Sequence, residues 1–591
     1  MSKPKALELG LKELKSNPGQ LQAAYACGHC IVLAGPGSGK TKTLSITMGR
    51  LLSEEIKEPR GVACITYNNE CSLELESRLI KLGITTNERA FIGTVHSFAL
   101  TQIISPYARC VPGLLPINYR IATASECRTA VVAAYGKVFN DGGDPHERWK
   151  MAEQKRRKEI DRNLPNWRGS NEELSHFIET YELELRNNGL IDFDDMPLIA
   201  YRMAKEHFWI RRALLSRFPV LLVDEYQDLG HALHELVMLL CFDGGIRLFA
   251  VGDADQSIYG FAGANPSLLQ GLICRSDVST IRLRYNYRSG NKIIRGSIGA
   301  LGEERDYCGF DGVTEGEVGF CAVESDIGGQ ANYIAQTLLP HLLSKGVQPE
   351  QIAVLYRAAW LGDKVASSFD LTATPYLRTD SNALISRSSR LARFIEACAN
   401  WTTGGWIEAN PSFQRLHREA SSLVYGGSAT DNEKDLLSNQ LMDFLQSGIG
   451  MKEFTNPWLR RFCNELIEPW KQVCRNIHQE WDLGLKLLER TDPKSDLDMP
   501  LNIFAGRIEG SGRVTLSTLH SAKGREFDAV IMFGVNQNGL PSQRDMQNEK
   551  SIREARRLFY VGVTRPKLHL YFVFRKGFYS PWIVDFYNRI E

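Results

Sequence analysis

The sequence predicts an α/β fold built from two parallel-sheet cores, each interrupted by a mainly helical insertion. Three observations carry this. Short β-rich runs alternate with helix-period segments, as in strands joined by crossover helices. The alternation fades over about 105–200 and 396–510 and returns each time. A glycine-rich loop follows the first strong strand and opens a helix.

In the first core, IVLAG (31–35) reads as a buried strand and TKTLSITMGRLL after it as a helix. GVACITY (61–67) is the next strand, ECSLELESRLIKL (70–82) a helix, and FIGTVHSFAL (91–100) a strand running into a helix. Charged helix-period text follows in MAEQKRRKEIDRN and NEELSHFIETYELELRNNG. Strands resume at RFPVLLVDEY (217–226), GIRLFAVGD (245–253) and STIRLRY (279–285). The second core opens with EVGFCAV (317–323) and QIAVLYRA (351–358) and closes with RVTLSTLH (513–520), FDAVIMFGV (527–535) and LHLYFVF (568–574). The expected division is 1–105 with 200–283 as first core, 106–199 as its insertion, 284–395 with 511–591 as second core, and 396–510 as its insertion. Trp401, Trp406, Trp458, Trp470 and Trp481 are expected to form the core of that second insertion.

Composition narrows the function classes. The 591 residues are 43% hydrophobic, which excludes a disordered chain, a collagen and a coiled-coil rod. Lys and Arg total 70 against 69 Asp and Glu, a net charge of +1. A histone-like electrostatic binder is therefore not expected, and any nucleic-acid contact must come from local grooves. Thirteen scattered cysteines fit reduced thiols in a cytoplasmic protein better than a disulfide framework. MSKPKALELGLKELK lacks the apolar segment of a secretory signal, and PVLLV (219–223) and AVIMFGV (529–535) are strand-sized, so no membrane partner is expected.

AGPGSGKT (34–41) lies between strand and helix, the context a phosphate-binding loop needs. Ala34, Gly35, Pro36, Gly37, Ser38, Gly39, Lys40, Thr41 and the following Lys42 are the expected nucleotide contacts. Glycines let backbone N–H groups wrap phosphates, and the helix N-terminus adds its dipole. Lys40 should reach the β- and γ-phosphates and Thr41 should ligate Mg²⁺, making ATP and Mg²⁺ the expected cofactors. Ala34 replaces the usual first glycine with another small residue. VLLVDEYQD (220–228) places Asp224 and Glu225 at the end of an apolar strand, where open α/β sheets bind ligands. Asp224 would hold Mg²⁺, and Glu225 would orient or deprotonate the attacking water.

With these residues in view, the motif set resembles the UvrD/Rep-type helicases of superfamily 1. NPGQLQA (17–23), ITYNNE (65–70), GTVHSF (93–98), IDFDDM (191–196), VDEYQD (223–228), VGDADQSIYGFAGA (251–264), YNYRS (285–289), IAVLYR (352–357), TLHSAKGREFD (518–528) and RRLFYVGVTRPK (556–567) are similar to that family's motifs, in its order. The resemblance spans residues 17–567 and implies two RecA-like P-loop NTPase cores with ATP between them. It gives Gln20 the adenine-reading place, Tyr287 the place of an aromatic stacked on adenine, and Gln256 that of a γ-phosphate sensor and water-positioner. Arg288 and Arg565 fall where two arginines clamp the γ-phosphate from the second core, and Glu526 where an acidic residue couples nucleotide to DNA. For DNA it points to Thr66, Tyr67, Asn68, His96, Tyr259, Phe261 and His520, whose rings can stack on bases without reading sequence.

The sequence also departs from that pattern. Ala262 stands after Phe261 where the family usually has Arg, and Leu229-Gly230-His231 with His234 replaces Thr-Asn and a later Gln. CGHC (27–30) has metal-like spacing but no second pair, so ordinary packing or a loop thiol is the expected role. KRRKE (155–159) and Arg211-Arg212 are expected to be charged helix faces. The chain ends soon after its last strand, so any DNA cleavage is expected to need another protein. The resemblance thus implies an ATP-driven motor moving 3′→5′ on single-stranded DNA and acting at single/double-strand junctions. The alternative is a DNA-stimulated ATPase subunit that serves a partner such as a nuclease or repair factor, in repair or anti-phage defence, with little unwinding of its own.

Overall fold

A computed structural model of the chain describes residues 4–66, 69–84, 89–116, 118–139, 141–258, 260, 265–383, 389–409, 411–425, 429–473, 481–493, 499–505 and 512–591. The first core holds strands β1 (His29–Ala34), β2 (Val62–Thr66), β3 (Ala90–Thr94), β4 (Val220–Val223), β5 (Arg247–Gly252) and β6 (Val278–Leu283). They form one sheet in the order β3-β2-β4-β5-β1-β6, every pair parallel. Strands β2 and β4 are buried along their whole length, which explains text that is apolar but for Thr66. Helices α1 (Lys5–Glu13), α2 (Pro18–Ala24), α3 (Lys40–Arg50) and α4 (Asn69–Lys81) cover one face.

The chain leaves this sheet after β3 and returns at β4. Between them, α5 (Ala124–Val138), α6 (Pro145–Lys158) and α7 (Glu172–Asn187) enclose a separate apolar cluster around Phe177, Tyr181 and Trp167. Thr123 and Glu126 close a capping box at the start of α5, a device worth about 1 kcal/mol. Met196 to Ala204 instead join the apolar cluster of the first sheet. The basic run on α6 is not a solvated face throughout, as the sequence suggested: Lys155 and Arg156 are buried. Arg156 is held by Glu182 at 2.8 Å, Asp192 at 2.6 Å and Asp195 at 2.6 Å. An internal cation of this kind needs the carboxylates of α7 and of the IDFDDM segment around it.

The second core repeats the plan with α8 (Asn291–Leu301) and strands β7 (Glu317–Val323), β8 (Ile352–Tyr356), β9 (Tyr376–Arg378), β10 (Val514–Thr518), β11 (Phe527–Phe533) and β12 (Pro566–Arg575). Their order is β7-β12-β11-β8-β10-β9, again all parallel. The second insertion contains α9 (Arg390–Asn400), α10 (Phe413–Tyr425), α11 (Asp431–Ser447) and α12 (Thr455–Phe462), packed around Trp401, Trp458 and Trp470. Trp406 departs from the expectation: it is 44% exposed. Helices α13 (Glu549–Val563) and α14 (Pro581–Ile590) return to the second core and pack on α8. Among the described residues no helix is long and apolar enough to cross a membrane.

Candidate functional site: a phosphate loop at the seam of two cores

The loop 35–39 connects β1 to α3. Gly37 and Gly39 both have positive φ, at 68° and 83°, which a residue with a Cβ adopts only under strain. A Cβ at Gly37 would also collide with Asn286 and Arg288 of the second core. Tyr287 N–H donates to the Gly37 carbonyl at 2.9 Å. The second core therefore packs on the backbone of the loop itself. A Cβ at Gly35 would lie 2.6 Å from the ring of Tyr307, so that glycine is needed for close approach.

Asn17 caps α2, accepting from Gln20 N–H, and its side-chain amide donates to the Tyr287 hydroxyl at 2.9 Å. Gln20 is buried, and its amide donates to the Ser38 carbonyl at 2.8 Å. These contacts place Gln20 and Tyr287 on one side of the loop. Thr41 is half-buried in the first turn of α3. The ammonium of Lys42 turns away to Glu13 of α1 at 2.7 Å, leaving its backbone N–H as the part that can meet a phosphate.

Lys40 donates to the Ala34 carbonyl at 3.2 Å and lies 3.8 Å from Asp253. Asp253 accepts from the Gln256 amide at 2.6 Å. The Gln256 side-chain oxygen in turn accepts from Arg565 of the second core at 3.1 Å. One continuous polar chain thus joins the loop lysine to the far arginine. Arg288 donates to Glu526 at 2.8 Å within the second core. Burial pushes Arg565 down, and the neighbouring Arg288 guanidinium adds to this. A guanidinium keeps its proton, so two of them side by side make a seat for an anion.

Asp224 and Glu225 stand at the end of β4, Glu225 in the left-handed region at φ 49°. A non-glycine residue there costs about 1–3 kcal/mol, and such strain gathers at functional sites. Burial and the adjacent Glu225 carboxylate push Asp224 up. Burial would also raise Glu225, but Lys40, Lys523 and Arg565 outweigh it and hold it down. Burial pushes Asp253 and Asp228 up as well. Burial is the first cause of each rise, so these carboxyls stand in a site largely cut off from water. Among the described residues no three His, Cys, Asp or Glu side chains converge as a metal cage. Mg²⁺ is normally held by one or two carboxylates together with substrate phosphates. The hydroxyl of Thr41 and the carboxylate of Asp224 supply the oxygen donors which that mode uses.

Several partners are not among the site residues expected from the sequence. Lys523 donates to Asp228 at 2.6 Å and to the Gln256 carbonyl at 2.6 Å, another link between the cores. Arg305 grips Asp255 through two bonds of 2.7 Å each. Lys523 lies inside the quoted TLHSAKGREFD motif, whereas Arg305 and Tyr307 sit in text without pattern. A cavity of about 620 Å³ lies beside the loop, lined by Ala34, Asp253, Asp255, Arg305 and Tyr307.

Of the residues expected to meet DNA, Tyr67, Asn68, Tyr259 and Phe261 lie outside the described residues, as does Ala262. Thr66 is buried at the end of β2, its hydroxyl 2.6 Å from that of Ser72. His96 stacks on Phe193 with ring centroids 3.8 Å apart, and Phe193 is 57% exposed. Burial pushes His96 down to about 4, so its ring is neutral and apolar in character. His520 is likewise pushed down to about 4 by burial, with Arg357 and Lys523 adding to it. His234 bonds the Tyr226 hydroxyl at 2.8 Å, and His231 meets the Asn265 amide at 3.1 Å. In the CGHC segment Cys30 is buried and Cys27 exposed, and His29 accepts from Leu248 N–H at 3.1 Å and stacks on Phe242.

Residues 16–273 match the UvrD/REP helicase N-terminal domain, and residues 502–577 match the UvrD-like helicase C-terminal domain. The ATP-dependent DNA helicase Rep of Escherichia coli (strain K12) is 25% identical, covering 95% of this chain and 91% of its own length. The ATP-dependent DNA helicase PcrA of Leuconostoc citreum is 25% identical, covering 92% and 79%. DNA helicase II of Salmonella typhimurium is 27% identical, covering 91% and 81%.

Proposed function

The chain belongs to the UvrD/Rep helicase family, and on that premise we propose that it is an ATP-dependent motor that moves 3′→5′ on single-stranded DNA and separates strands at junctions. The observation that carries this is the path Lys40–Asp253–Gln256–Arg565, which runs unbroken from one core to the other.

When bound, Mg·ATP supplies the phosphoryl group whose transfer to water drives the cycle. The residues act around it as follows. Lys40, now folded onto the Ala34 carbonyl, is released to the β- and γ-phosphates. Glu225, kept ionised by three surrounding cations, accepts a proton from the attacking water. Gln256 is held on both sides, by Asp253 and by Arg565, and so presents its amide in one orientation. Arg288 and Arg565 meet charge on the terminal phosphate only when the cores are closed. Closure and relaxation then alternate with each turnover, which is the stroke. Exposed Phe193, backed by His96, offers a stacking surface for a base at the end of β3.

The test is a pair of assays: DNA-stimulated ATP hydrolysis, then displacement from a duplex with a 3′ overhang. Hydrolysis with displacement supports the motor. Hydrolysis without displacement assigns the chain as a signalling ATPase that serves a partner. No hydrolysis removes both readings.

A further inference from the structure

A second cavity, of about 220 Å³, lies away from the phosphate loop, in the angle between the first core and the second insertion. One wall is Ser72 and Glu76 of α4 with Gly93 and Ser97 at the end of β3. The other is Arg390 and Arg393 of α9 with Arg415, Arg418 and Glu419 of α10. Each helix thus contributes two arginines spaced three apart, the spacing that places side chains on one face. Their apolar neighbours Leu391, Phe394, Leu416 and Ala420 point into the core of the insertion.

Four guanidinium groups face two carboxylates. Arg415 bonds Glu419 at 2.9 Å. Arg390 bonds the Ser422 hydroxyl at 2.8 Å, and among the described residues neither it nor Arg418 is in an ion pair. Both are exposed at the cavity mouth, while Arg393 and Arg415 are half-buried deeper in. Glu76 lies half-buried in the opposite wall, its carboxyl pushed up by burial against the pull of Arg418 and Arg415. Two exposed arginines outside any ion pair, Arg390 and Arg418, are more than a plain contact between two lobes needs.

The cavity adjoins the residues that the DNA reading uses. Ser72 in its wall is bonded to Thr66, and Ser97 follows His96 in the chain. We propose that this cavity is a backbone-phosphate site, which takes one or two phosphates of a single strand as it passes from the ends of β2 and β3 onto the second insertion. Guanidinium groups bind phosphate without regard to base, so the site holds the strand in any sequence. The inference rests on the nucleic-acid reading above and extends it to the second insertion.

The test is equilibrium binding of a labelled oligo-dT strand by the full chain between about 50 and 200 mM salt. Each phosphate contact on a single strand contributes about 0.7 to the slope of log affinity against log salt. Arg415→Gln with Arg418→Gln should make the slope shallower by about 1.4 and weaken binding by about 25-fold at 0.1 M salt. Arg418→Glu alone, an exposed substitution that the fold should accept, should also flatten it. Arg415→Lys, which keeps the charge, should stay near wild type. Lys576→Gln removes an exposed charge elsewhere on the second core and should leave the slope unchanged. Lines parallel to wild type for both Arg418 variants, or equal flattening by Lys576→Gln, overturn the site while leaving DNA binding itself intact. A wild-type chain that does not bind the strand overturns the functional reading beneath it.

Discussion

The guanidinium of Arg565 lies 3.1 Å from the side-chain oxygen of Gln256, although the two are 309 positions apart in sequence. Arg565 is buried: its Nε donates to the Val561 carbonyl of its own core at 2.9 Å, which aims the rest of the fork across the seam at Gln256. Arg565→Ala should lower the hydrolysis rate by about 10³-fold or more, with a smaller effect on nucleotide affinity. Arg565→Lys should not restore it, because an ammonium cannot hold both Gln256 and a phosphate in a planar fork. Steady-state kcat and a direct ATP-binding titration separate the two effects; normal turnover by Arg565→Ala would remove the clamp.

Gly35 and Tyr307 make a second pair across the seam. Gly35→Ala forces a methyl group against the Tyr307 ring, which overpacking places at about 1–3 kcal/mol. A lower thermal midpoint and weaker ATP binding are expected together. Tyr307→Ala in the same chain should recover part of the midpoint. Equal losses in the single and double variants would show that the ring is not what the methyl group meets.

His234 sets a pH dependence. Burial pushes it down to about 4, well under the ordinary value near 6.5. The folded state thus prefers the neutral ring, and its contribution is complete above about 6.5. As pH falls from 6.5 towards 4, the unfolded chain takes up a proton that the folded chain resists. Wild type should therefore lose stability relative to His234→Gln by up to about 1.4 kcal/mol per pH unit in that window. Urea unfolding of both chains at pH 7.5 and pH 5 reads it; a constant difference contradicts it.

Arg156 tests the buried ion cluster of the first insertion. Arg156→Met would leave Glu182, Asp192 and Asp195 without their shared cation. A loss of about 3–5 kcal/mol is expected, the cost of breaking a buried pair from one side. Mild acid should lessen the loss, since protonated carboxyls no longer need the cation. A solvated helix face would show under about 1 kcal/mol and no such relief.

Much of this molecule is legible in its sequence, for reasons that differ from part to part. The phosphate loop is local: it lies within eight consecutive residues, and Gly37 and Gly39 mark the two places where the backbone turns left-handed. Strands β2 and β4 are legible because full burial leaves them apolar apart from Thr66, whose hydroxyl is met by Ser72. Arg288 and Arg565 are visible only through the family resemblance, since no periodicity connects positions so far apart. Arg156 misleads, because a buried cation and a solvated one are written with the same letter. Its partners lie in two other segments, and only the folded chain brings them together. Arg305, Tyr307 and Lys523 act through the meeting of two cores, which no local pattern encodes.

The Tyr287 amide bonded to Gly37 has a thermodynamic corollary. Because the cradle for triphosphate is finished by the opposite lobe, ATP affinity becomes a gauge of how far apart the lobes stand. Reciprocity then binds the two ligands: whatever factor a DNA strand applies to ATP affinity by drawing the lobes together, ATP must apply to DNA affinity in return. On the proposed reading, this one loop would carry that coupling without a separate relay.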